Sequence, residues 1–222
     1  MRPSVMHHLV VLAFLFTAIP AHAGGGAHLV DDAGTVTPGE CEVELYGGAA
    51  AHAGRLVLSP TCAFTALPNL EFGLVLARDW PGGSPIPGVA AKAALGHLGP
   101  IETAFELNLG YDPEGQTLDS IATNLPLTLP LGRRLTLHAN LGLDFEPGAA
   151  PIPTWGTALI LALGNRFEAV AEIAGRQGFR TRTQAGVRAH VGRVSLDLLY
   201  SRNLDNNRSH WLTLGATWAF NR

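Results

Sequence analysis

Beyond residue 23, this 222-residue chain has no apolar run of the roughly 20 residues that a membrane-crossing helix needs. The best candidate, Leu159 to Leu163, is a short stretch inside an alternating one, so a helical membrane protein is excluded. A basic cluster interleaved with aromatics is also missing, and Lys+Arg 15 nearly balance Asp+Glu 18, which leaves no electrostatic footprint for DNA or RNA. Disorder needs low hydrophobicity and high net charge, and a chain that is 47% hydrophobic with a net charge of −3 has neither. No nucleophile elbow, phosphate-cradling glycine loop or metal-protease motif occurs. Only two cysteines are present, without clustered His or Cys at zinc spacing. Neither a metal nor a cofactor is expected.

What the chain does contain is turns. Gly 26 and Pro 15, set against the high hydrophobic fraction, describe many short elements with sharp connections. At the front, Met1-Arg2-Pro3, an apolar run from Leu9 to Ile19 and then Ala21-His22-Ala23 read as a secretory signal peptide. The chain accordingly divides into a signal peptide over 1–23, a periplasmic N-terminal segment over 24–40 and a β domain over 41–222.

The β domain alternates apolar and polar residues with a period of two. Leu212, Leu214, Ala216, Trp218 and Phe220 share one face, opposite Trp211, Thr213, Gly215, Thr217 and Ala219. Leu135, Leu137, Ala139, Leu141, Leu143 and Phe145 likewise oppose Thr136, His138, Asn140, Gly142 and Asp144. The pattern predicts strands at 41–50, 55–65, 69–80, 88–97, 100–111, 117–128, 133–145, 154–164, 165–174, 180–191, 193–202 and 209–220. Tight connections near 66–69, 97–100, 131–133, 164–166 and 191–193 alternate with looser ones at 81–87, 112–116, 146–153, 175–179 and 203–208. Short turns at one end and longer loops at the other are the pattern of an outer-membrane barrel with periplasmic termini. The expected fold is all-β, a closed antiparallel up-and-down transmembrane barrel of about twelve strands. Closure matters because hydrocarbon supplies no partners for the backbone groups of an open sheet edge. Pro60, Pro126 and Pro130 each remove a ladder donor and are expected at bulges or strand ends.

Cys41 shares a face with Val43 and Leu45, and Cys62 shares one with Leu58 and Phe64. The two thiols then point the same way across the first hairpin, which in an oxidising compartment predicts a disulfide rather than two free thiols. The polar faces supply the candidate lumen-lining residues Glu102, Glu106, Asn108, His138, Asn140, Asp144, Arg182, Arg188 and Asp197. Such mixed charges either line a water-filled path or pair into a network that fills the barrel. A lipid hydrolase would need serine beside histidine, and only a cross-strand pairing of Ser195 or Ser201 with a residue such as His138 could supply it. A non-enzymatic barrel is expected. Asp31 and Asp32 read as a solvated periplasmic cap whose carboxylates accept turn N–H groups, in preference to a calcium or ligand site.

Val30-Asp31-Asp32-Ala33-Gly34-Thr35-Val36, followed by Pro38-Gly39 and Glu42-Val43-Glu44-Leu45, resembles the opening of outer-membrane proteins of the MetA-pathway-of-phenol-degradation family. Ala66-Leu67-Pro68-Asn69-Leu70-Glu71-Phe72-Gly73 is similar to that family's second turn. Val30 stands where the family commonly has Thr, and the cysteine pair is a departure from it. The resemblance implies a transporter-like, porin-like barrel in a Gram-negative outer membrane, passing small, often apolar or aromatic molecules. Trp218-Ala219-Phe220 resembles the terminal strand read by the barrel-insertion machinery, although Asn221 and Arg222 follow it. Outer-membrane lipid and that machinery are the expected partners, together with a small solute; the alternatives are a plugged structural barrel and a barrel hydrolase.

Overall fold

The computed structural model describes residues 27–204 and 210–221, so the expected signal peptide over 1–23 lies outside the described residues. Twelve strands follow one another among them: β1 Glu40–Ala49, β2 Gly54–Phe64, β3 Leu67–Trp80, β4 Ile86–Leu98, β5 Ile101–Asp112 and β6 Thr117–Pro130, then β7 Leu135–Phe145, β8 Ile152–Ala162, β9 Phe167–Arg176, β10 Arg182–Val191, β11 Val194–Asn203 and β12 His210–Asn221. Each pairs antiparallel with its sequence neighbours, and β1 pairs with β12 from Glu40↔Asn221 to Ala49↔Leu212. The sheet is therefore a closed twelve-stranded barrel with no free edge.

Period-two alternation sets the two faces of the wall. In β11, Leu196, Leu198 and Tyr200 are exposed on the outside, whereas Ser195, Asp197, Leu199 and Ser201 are buried on the inside. In β7, Leu141 is 59% exposed and its neighbour Asn140 only 8%. Connections at one end, the turn end, run to between two and four residues, and the described connections at the loop end to between four and six. The chain enters β1 and leaves β12 at the turn end.

Two of the three prolines depart from expectation. Pro130 does end β6, but Pro60 and Pro126 lie inside β2 and β6, in register with Val43 and Asn140. Each sits where pairing to the other neighbour lapses: β2 and β3 pair up to Leu58↔Leu76 and resume at Thr61↔Gly73, and β5 and β6 skip from Thr103↔Leu127 to Glu106↔Asn124. The missing donor falls in a local gap in the ladder rather than at a bulge. The bulges lie elsewhere, at Ala63/Phe64, Ala94/Gly96 and Gly110/Tyr111. Cys41 and Cys62 are register partners and are joined by a disulfide.

The sequence reading places segment 24–40 in the periplasm as an N-terminal extension. From Ala27 to Val36 its described residues run inside the barrel, and Ala27, Val30, Ala33 and Val36 are all buried. The physical reason is an interior of twelve-strand width that the wall's own side chains do not fill, so the chain's leading segment completes it.

Candidate functional site

The segment enters from the turn end, where Gly39 N donates to Ala63 O and Glu40 N to Thr37 O. A closed ladder offers it no strand partner, so its backbone groups are met by inward-facing side chains. Val36 N donates to Glu71 Oε2 of β3 at 2.6 Å, Ala33 N to Thr128 Oγ1 of β6 at 2.8 Å and Leu29 N to Glu172 Oε2 of β9 at 3.2 Å. Asp31 is gripped twice by Asn140 of β7, its N–H donating to Oδ1 and its carbonyl accepting from Nδ2, both at 2.8 Å. Gln184 Nε2 of β10 donates to Ala27 O at 2.9 Å.

Side chains of the segment add ionic contacts. Asp32 Oδ1 lies 3.8 Å from Lys92 Nζ and accepts from Gly34 N at 2.7 Å. The carboxylate does close a turn as the sequence suggested, but it is buried in the lumen rather than solvated. The two ring nitrogens of His28 lie 3.2 Å from Glu172 and 3.3 Å from Asp197. Donating to both requires the imidazolium form. Burial opposes that charge, but the bonds to Asp197 and Glu172 outweigh both burial and the repulsion from Arg188, and raise the pKa of His28 from 6.5 to about 9. Arg188 in turn holds Asp197 in a fork, Nε to Oδ1 at 2.8 Å and Nη2 to Oδ2 at 3.1 Å.

The wall is relieved where the segment passes. A Cβ on Gly156 would lie 2.8 Å from Val30 Cγ2, and one on Gly215 would lie 2.8 Å from Ala27 Cβ. Ala27 packs on a small apolar patch of Val170 and Leu199, flanked by Tyr46 and Ile160.

Among the described residues, three spaces stand out. The first, about 810 Å³ at the loop end, has Leu29 and Asp31 as its floor and Trp155, Arg176, Phe179 and Arg182 in its walls. A second of about 250 Å³ lies between the segment and β1–β5, lined by Asp31, Glu42, Glu44, Glu71, Glu106 and Lys92 among others. The third, about 10 Å³ beside Glu42, Arg188 and Ser195 toward the turn end, is about the size of one water. Asp31 borders both larger spaces.

The candidate residues fall into distinct places. Glu106 and Asn108 line the second space, with Asn108 Nδ2 donating to Glu106 Oε1 at 3.0 Å. Asn140 and Arg182 line the first, and Arg182 sits 5.8 Å from the ring centre of Trp211. Asp144 is 3.0 Å from Arg176, which also stacks over Phe179 at 4.4 Å. Arg188 and Asp197 form the fork, and His138 Nδ1 meets Thr128 Oγ1 at 2.9 Å. Glu102, opposite His97 and Thr128 in register, borders none of the three spaces. Ser195 pairs with His190 at 3.0 Å rather than with His138, and the other nitrogen of His190 lies 3.3 Å from Glu168. Ser195 lines the smallest of these three spaces, about 10 Å³. The polar-face pattern also turns Glu44, Lys92 and Glu172 inward, as the structure has them; Gln184 and His28 escaped the sequence reading. The signal for Gln184 was its inward polar position on β10.

Solved structures share this architecture. The KdgM porin in complex with disordered oligogalacturonate superposes with a TM-score of 0.68 at 8% identity, covering 81% of this chain and 99% of that one. NanC porin gives 0.61 at 9% identity, with 80% and 98% covered. The Acinetobacter baumannii outer membrane protein Omp33 gives 0.52 at 12% identity, with 84% and 100% covered. At these identities the likeness is one of fold, that of small outer-membrane porins. No curated protein matches the sequence significantly. The family found by comparison is not the phenol-degradation family that residues 30–45 resemble. Residues 12–220 match another across nearly the whole chain, and the protein belongs to the family described as Uncharacterised conserved protein UCP029691.

Proposed function

We propose that this protein is an outer-membrane channel for small solutes whose lumen is narrowed by its own N-terminal segment. The observation that carries the reading is the pair of cavities, about 810 and 250 Å³, that both border Asp31 inside a closed barrel. In this reading residues 1–23 are the cleaved export signal, the loop end faces outward and the turn end faces the periplasm. The barrel-insertion machinery and outer-membrane lipid are its assembly partners. Phe179 in the loop-end wall supports solutes with an apolar or aromatic part. KdgM porin, a structural neighbour, is in complex with disordered oligogalacturonate, and a solute in a barrel of the same fold supports the reading.

Planar-bilayer recording of the mature chain, and of a variant lacking residues 27–36, tests it. A small steady conductance that grows several-fold on deletion is expected. A folded deletion variant that conducts no better than the parent refutes the reading.

A second reading, a plugged structural barrel, draws on the one-water space toward the turn end. It predicts silence from the full chain at every voltage.

A further inference from the structure

The space beside the segment is unlike the rest of the lumen. Its lining holds five carboxylates, Asp31, Glu42, Glu44, Glu71 and Glu106, against the cations Lys92 and His28. Glu71 is occupied by Val36 N, and Glu106 by Asn108 and Asn124. Glu44 differs: it is only 7% exposed, and its Oε1 is buried without a hydrogen-bond partner. A buried carboxylate oxygen without a donor is unfavourable unless something meets it. The nearby cations are already engaged, His28 by Glu172 and Asp197, Arg188 by Asp197 and Lys92 by Asp32. No strand can bring another donor, because the ladder is closed.

A bare metal ion does not fit the arrangement. Among the described residues no three His, Cys, Asp or Glu side chains converge as a metal requires. The space is also far larger than one ion, and part of its lining is apolar: Val57, Val75 and Ala90. Acidic and aliphatic groups in one lining suit a cation that carries a hydrocarbon chain.

We propose that the cavity between the N-terminal segment and strands β1–β5 is a binding site for small primary alkylammonium ions. The ammonium N–H groups donate to Glu44 and Glu42, and the methylenes lie on Val57, Val75 and Ala90. This names the solute class for the channel reading and rests on the lumen being a solute path.

Titration calorimetry of the full mature chain, folded in detergent, tests the site with n-butylammonium, butyrate and 1-butanol as probes. Butylammonium should bind at least tenfold more tightly than either of the others. Glu44→Gln should weaken it at least tenfold, and Glu114→Gln, in an exposed loop, should not. Should Glu44→Gln fail to give the folded species by heat-modifiable gel mobility, Glu42→Gln is read in the same way. Butylammonium binding no tighter than butanol, or binding untouched by both lumen substitutions, overturns the proposal. Conductance without butylammonium binding removes the site and keeps the channel; binding without conductance keeps the site and removes the channel.

Discussion

Asn140→Ala tests whether the N-terminal segment sits in the lumen as one body. The side chain makes two 2.8 Å hydrogen bonds to the backbone of Asp31. A hydrogen bond contributes about 0.5–1.5 kcal/mol net, so removing two costs about 2 kcal/mol of docking free energy. That corresponds to a rise of about 30-fold in the undocked population, since about 1.4 kcal/mol is tenfold in an equilibrium constant. Amide hydrogen exchange in micelles reads this population directly. The amides of Asp31, Ala33 and Val36 each donate to a wall side chain, and only the first of these partners is Asn140. If the segment leaves as a unit, all three amides exchange faster by a similar factor, and the conductance rises with them. Acceleration confined to Asp31, with Ala33 and Val36 unchanged, refutes a cooperative plug.

On the lipid side, Leu141→Arg should cost assembly about 2–4 kcal/mol, measured as a shift in urea-driven barrel unfolding. Asn140→Arg, one residue away but facing inward, should leave assembly largely intact while expelling the segment; equal damage from both would invert the assigned faces. Reduction of Cys41–Cys62 should retard gel mobility and expose two alkylatable thiols, and removal of the bridge should cost about 3 kcal/mol on the chain-entropy argument. Unchanged mobility and mass after reduction would contradict it. His28 has a docked pKa of about 9, above its ordinary 6.5, so its contribution to docking is complete below about pH 6.5 and is lost as pH rises through about 9. Conductance should therefore increase across that window in the parent and stay level in His28→Gln; a parallel rise in both would remove His28 from the latch.

The wall was legible in the sequence because its physics is local. Alternation in stretches such as 194–200 and 212–220 follows from a two-sided environment, and register then places Cys41 against Cys62. Boundaries slipped where apolar residues continue into a turn. Leu163 reads as strand, yet β8 ends at Ala162 and β9 begins at Phe167. The lumen was harder to read, because the segment's buried residues Val30, Ala33 and Val36 recur every third position among Gly and Asp, and that has neither strand nor helix period. Its docking is set by contacts more than a hundred residues away in sequence, such as Asp31 with Asn140 and His28 with Asp197. The available hints were neutral amides, Asn140 and Gln184, among inward charges, and glycines at 156 and 215 where an inward side chain would otherwise stand.

The docked segment leads directly into β1, whereas several groups that hold it belong to β9, β10 and β11, the last but one to close the ring. A ribosome delivers the tether first and its moorings last. During insertion the leading residues must either wait outside a half-built cylinder or serve as a mandrel around which later hairpins curl. In both cases the segment's full set of moorings exists only once β9, β10 and β11 are in place, so a chain truncated before β9 lacks the anchors of Ala27, His28 and Leu29.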